Sequence, residues 1–177
     1  YILLYLAISH GVIELGNLRV AQFFQQSVGI ITSSLAPVLF IRLRKRSSIQ
    51  ERAEYLNTPL VGIWSMLIFL FTMYLLGEEP IVDILFGHQY INSLSANRIA
   101  VMLAILEFIY TFIAQISLAS GNSKEYGLIQ NFSTIVSGIL GIALIAPLGL
   151  NGYLWSRTVS VAGMLLLHAL IFVRNTR

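Results

Sequence analysis

The stretch GLIQNFSTIVSGILGIALIAP, residues 127–147, carries no charged side chain anywhere along it. An α-helix needs about 20 predominantly apolar residues to cross the hydrocarbon core of a bilayer. Gly127, Asn131, Thr134, Gly138 and Gly141 recur along the stretch at helical spacing. A soluble helix would place charges on such a polar face. Here the face holds only glycines, a threonine and an amide. The pattern predicts a helix that meets lipid on one side and other helices on the other.

The rest of the chain agrees. Hydrophobic residues make up 56% and charged residues 11% of the 177 positions, whereas a soluble domain carries about 25% charge. So few charges do not cover a water-facing surface, but a lipid-facing band needs none. Cysteine is absent, which excludes disulfides and thiolate metal sites. The net charge of +3 comes from a few clusters and forms no continuous basic face, so nucleic acid is not an expected partner. The opening YILLYLAIS is apolar at once, with no basic lead and no small-residue cleavage site, so no cleavable signal is expected. It reads as a truncated membrane helix, and the chain as a fragment of a longer one.

Hydropathy predicts an all-α, polytopic membrane bundle: a truncated segment at 1–12, then five complete spans at 18–40, 58–76, 97–119, 127–147 and 152–173. Pro59 suits the first turn of the second complete span. The connections predict orientation. RLRKRSSIQERAEYLN (42–57) carries Arg42, Arg44, Lys45, Arg46 and Arg52, and should be cytoplasmic. GEEPIVDILFGHQYIN (77–92) has Glu78, Glu79 and Asp83 but no Lys or Arg, and should be a loop on the outside. SGNSKEY (120–126) with Lys124 returns inside, LGLN (148–151) is uncharged and outside, and RNTR places Arg174 and Arg177 inside. The C-terminus is then cytoplasmic.

Ionisable groups within spans are costly and are functional hypotheses by default. Glu107 lies among apolar neighbours and shares a face with Thr111 and Gln115. Either it binds a proton or a cation, or it is a neutral group bonded to a neighbouring helix. Arg157 lies one turn inside the outer end of the last span, either snorkelling to the interface or facing a cavity. Arg98, nine residues before Glu107, is half a turn out of phase with it. Glu107 therefore needs a partner from another helix, or stays protonated. His168 is expected to be packed or interfacial. The first complete span has a seam of Arg19, Gln22, Gln26, Gly29, Ser33 and Ala36. Its glutamines must face protein or a wet cavity, since amides in lipid stay unsatisfied. Pro37 is placed to kink this helix.

No nucleophile–base–acid spacing, phosphate-binding glycine loop or paired histidines occur, so nothing in the sequence argues for an enzyme.

GNLRVAQFFQQSVGIITSSLAPVLFIRLRKR (16–46) resembles the polysaccharide flippases of the multidrug/oligosaccharidyl-lipid/polysaccharide exporter superfamily, with a Gly, an Ala-Gln pair, a Ser-rich run, and an apolar VLF ending in a basic loop. Ile41 stands where the family often has proline. LFGHQYINS (85–93) is similar to the family's Phe-Gly and following Tyr. LASGNSKEYGLIQNFSTIVSGILGIALIAPLGLNG (118–152) resembles its closing pattern of a Gly-containing turn, an Asn-bearing helix, Ile-x-Pro and two spaced glycines. The three motifs occur in order over nearly the whole chain.

The resemblance implies two six-helix bundles packed as a V around a cavity, with this chain as the second bundle and its N-terminal partner bundle missing. It further implies transport of polyprenyl-diphosphate-linked oligosaccharide across the bacterial inner membrane, with no cofactor and coupling to H⁺ or Na⁺. In that reading Arg19, Arg98 and Arg157 form a cationic surface for the diphosphate. Gln22 and Gln26 bond sugar hydroxyls, and Glu107 serves ion coupling. The alternatives are a drug or cation antiporter of the same superfamily, a membrane enzyme of glycan assembly, and a non-transporting scaffold.

Overall fold

The computed structural model describes residues 2–121 and 123–175. Tyr1, Asn122, Thr176 and Arg177 lie outside the described residues. The chain is all-helical across them: α1 (Ile2–His10), α2 (Val12–Arg44), α3 (Ile49–Phe86), a 3-10 segment (His88–Ser93), α4 (Leu94–Ala119) and α5 (Ser123–Asn175).

Three of these stretches, Ile13–Arg44, His88–Ala119 and Ser123–Ile171, are long and apolar enough to cross a membrane. The last holds 49 residues, which would extend about 74 Å if straight, more than twice the thickness of the hydrocarbon core. It is not straight. Gly149 adopts φ 54° and ψ −130°, a region that side-chain-bearing residues rarely enter. Pro147 just before it has no N–H to continue the helix. The limbs fold back together, so that the Ser133 hydroxyl donates to the Ser160 carbonyl at 3.4 Å. The turn is tight: a Cβ on Gly152 would lie 2.1 Å from the Leu144 carbonyl oxygen. Only glycine fits there.

α4 is the central element. Ala96, Ala100 and Ala104 form a fully buried row at i, i+4 spacing, and these small side chains let α2 approach closely. One core cluster joins Leu6 of α1, Leu18 and Ala21 of α2, Leu103 and Tyr110 of α4, and Ile145, Leu154 and Val161 of α5. A second, toward the opposite end of α2, packs Val28 and Leu43 against Phe108 and Phe112. Outside, α5 presents Leu128, Phe132, Ile135, Ile139 and Ile142 as an exposed apolar stripe at helical spacing. A water-facing helix would not keep it bare. Lipid covers such a stripe without cost.

Several boundaries differ from expectation. The helix expected at 18–40 begins at Val12, directly after Gly11 turns the chain out of α1. It also continues as helix beyond Pro37 to Arg44. The predicted 58–76 span lies inside α3, which already starts at Ile49 because Ser48 caps it, accepting from the Glu51 N–H at 3.1 Å. The side chains of Thr58, Pro59, Leu60 and several others in that stretch lie outside the described residues. The expected outer loop at 77–92 is helical. α3 breaks at Gly77 (φ −121°, ψ 16°) and resumes with Glu78, Glu79 and Pro80, residues that favour a first helical turn. Acidity was misread as loop character. Arg52, at the start of α3, ties the ends of α2 and α4 together: its guanidinium donates to the Leu43 and Arg46 carbonyls and to the Ser120 hydroxyl, a cation closing helix C-termini.

Candidate functional site

Three helices bring one polar side chain each to a single point. Glu107 comes from the middle of α4, Arg157 from the second limb of α5 and Gln25 from α2. Arg157 Nη2 donates to Glu107 Oε1 at 2.5 Å. Gln25 Nε2 donates to the other carboxylate oxygen, Oε2, at 2.7 Å. The two charged side chains are partly accessible, Arg157 at 39% and Glu107 at 29%. They sit in the wall of a cavity of about 910 Å³ bounded by α2, α4 and both limbs of α5.

The cavity's other polar lining is neutral. The Tyr110 hydroxyl donates to Gln130 Oε1 at 2.8 Å, and the Thr111 hydroxyl donates to the Glu107 main-chain carbonyl at 2.9 Å. Ser133, Thr134, Ser137 and Ser160 add hydroxyls, while Val28, Ala104, Phe108 and Met164 supply apolar wall. Gln25 Oε1 is buried with no hydrogen-bond partner among the described residues. Such an acceptor is costly unless a donor reaches it. Chemically this is a half-wet, hydroxyl-rich site with one compensated cation.

Of the seam expected along 127–147, Thr134 and Gly138 face this cavity, Asn131 is exposed, and the packed row is Ile129, Ser133, Gly141 and Ile145. Gly141 belongs to both the expected seam and the packed row, so Asn131 is the seam member that departs from expectation.

Arg19, Gln22 and Gln26 line a different cavity, of about 1030 Å³, with Asn17, Gln89 and Tyr90. Among the described residues no acidic side chain lines it. The expected seam on α2 thus runs from one cavity to the other, since Gly29 and Ser33 belong to the first and Leu3 borders both. Arg98 lines neither of them. Both its Nε and Nη2 donate to Glu78 Oε1, the Nε at 2.7 Å, and it stands 63% exposed over an acid that is 5% exposed. His168 is buried, with Nδ1 3.2 Å from the Ser117 hydroxyl. Gln115 is half-buried outside the cavity lining.

Two residues escaped the sequence reading. Gln25 lies beside Gln26, and the seam used only the latter. A row of Ala21, Gln25, Val28 and Thr32, the face turned to α4, would have found it. His10 Nε2 donates to the Ile145 carbonyl at 2.8 Å, filling an acceptor that the break at Gly149 leaves open in α5. No local pattern announces that contact. No family model, no curated protein and no solved structure matches the chain.

Proposed function

We propose that this chain is one lobe of a membrane transporter that flips polyprenyl-diphosphate-linked oligosaccharide across the bacterial inner membrane by alternating access. In this reading α1 is the remainder of a truncated helix. The complete spans are α2, the apolar part of α3, α4 and the two limbs of α5, giving five and placing the C-terminus in the cytoplasm. The back-folded limbs at Gly149 and the alternation of basic and non-basic connections support that count. The lobe works against an N-terminal bundle of the same protein, and lipid surrounds both.

The observation that carries the proposal is the placement of Arg157, Glu107 and Gln25 in the wall of an open cavity, inside a chain whose outer surface is apolar. Intramembrane charges facing a cavity mark translocation pathways. A guanidinium there suits a diphosphate, and the amides of Gln22 and Gln26 suit sugar hydroxyls in the second cavity. Arg19 adds an uncompensated positive charge. Arg98 contributes least, because its fork is committed to Glu78.

The test is Arg157→Ala in the full-length protein, scored by surface glycan. Lost export with the protein still in the membrane supports flipping; undiminished export overturns it. Glu107 in the cavity also favours a second reading, a drug or cation antiporter. That one requires cation export that survives Arg157→Ala and is lost in Glu107→Gln.

A further inference from the structure

The geometry points to Glu107 as a built-in substitute for the anionic ligand: it occupies the Arg157 guanidinium, and an arriving anion must displace it. This rests on the reading of the cavity as an anionic-headgroup site. Protonation of Glu107 releases the same guanidinium, so anion binding and proton uptake are coupled here.

The contact is made for exchange. Glu107 engages Arg157 through a single nitrogen, Nη2, whereas a guanidinium offers five N–H donors in a planar fork. A phosphate oxygen pair engages that fork bidentately and outcompetes a one-point carboxylate. The released carboxylate is not stranded, because Gln25 still donates to its Oε2 from α2. Thr111 cannot take over that task, its hydroxyl being spent on the Glu107 main chain. Both charged groups are accessible from the cavity, so a ligand can reach the bond it must replace.

Charge counting gives the direction. The groups facing Glu107 are Gln25 from α2, Tyr110 and Thr111 from α4 itself, and Gln130, Tyr153 and Arg157 from α5, while α1 brings only Leu3. Among the described residues, Arg157 and Glu107 are therefore the only members of the lining charged at neutral pH. With Glu107 ionised the lining is neutral; with Glu107 protonated it carries one positive charge, and an anion binds more tightly. By reciprocity, a bound anion makes Glu107 take up a proton more readily.

The experiment is calorimetric titration of inorganic pyrophosphate into the full-length protein in detergent, in buffers of differing ionisation enthalpy, at neutral and mildly acidic pH. Glu107→Gln should tighten binding at neutral pH by roughly tenfold to a hundredfold, the value of one charge-assisted hydrogen bond. It should also remove the proton uptake seen in the native protein beyond that of pyrophosphate itself. Native affinity should approach the variant's as pH falls, and Arg157→Gln should abolish binding in both backgrounds. Equal or weaker binding by Glu107→Gln, or an unchanged proton count, overturns the inference. Should Glu107→Gln not fold, Gln25→Ala strands the released carboxylate instead. It should weaken binding severalfold at neutral pH, with the loss recovered as pH falls; unchanged or tighter binding overturns the inference equally. Pyrophosphate binding requires neither glycan nor translocation. Persistent export in Arg157→Ala alongside the expected titrations would sink flipping and leave this exchange standing.

Discussion

The two cavities along α2 are similar in volume and opposite in electrostatic design. The inner one pairs its only arginine with Glu107 and anchors that acid again through Gln25. The outer one surrounds Arg19 with amides and a tyrosine and provides no acid. A compensated charge is held in one geometry by a network, and removing any member leaves another group unsatisfied. An uncompensated charge at an open surface is solvated and can be removed with little structural consequence. The inner cavity is therefore a structural feature as well as a site, whereas the polar groups of the outer cavity carry little of the fold.

The sharpest way to break this contrast is Gly152→Ala. The new methyl would meet the Leu144 backbone carbonyl, at a cost of about 3 kcal/mol or more. It should disorganise the inner cavity, to whose wall both limbs of α5 contribute, while the outer cavity, built from α1, α2 and the 3-10 segment, survives. Thermal unfolding of the purified protein reads the loss, and accessibility of a cysteine placed at Gln22 reads the survival. Next in size, Arg157→Ala should lower stability by about 2 kcal/mol, less than for a fully buried pair because both partners are partly wet. Arg19→Ala should leave the melting temperature unchanged. Equal shifts in the two would erase the distinction.

Amides sharpen it further. Gln25→Ala strips Glu107 Oε2 of its donor and should cost about 1 kcal/mol, whereas Gln22→Ala and Gln26→Ala should be neutral in the same denaturation assay. The smallest effect lies outside both cavities. Ser48→Ala removes the α3 cap and should cost no more than about 1 kcal/mol, without changing ligand binding in either place. At that cap the Ser47 hydroxyl and N–H hold the Glu51 carboxyl below the usual carboxylate range. A depressed pKa contributes stability above the unfolded value and loses it as pH falls through the folded one. The Ser48→Ala penalty measured by melting should accordingly be constant near neutrality, with the Glu51 contribution fading only in acid.

Much of the architecture was legible in advance. The helical character, the apolar exterior and the turn before residue 150 follow from long uncharged runs, one proline and closely spaced glycines. The 77–92 segment was not, because the acidic run that suggests a loop is where Glu78, Glu79 and Pro80 begin a helical turn after Gly77. The site divides likewise. Glu107 and Arg157 stood out as ions in apolar surroundings, and helical phase already ruled out Arg98 as the partner of Glu107. Gln25 was hidden by its neighbour Gln26.

By itself, the sequence determined that this chain is helical, that its surface suits lipid, and that Arg98 on the same helix does not answer Glu107. These properties depend on composition and on the helical repeat, which are local. Only the tertiary structure decided which groups answer Glu107. Arg157 is 50 positions away and Gln25 is 82, and the return of α5 at Gly149 and the approach of α2 to the α4 alanine row bring them there. No local rule relates positions that far apart; packing does.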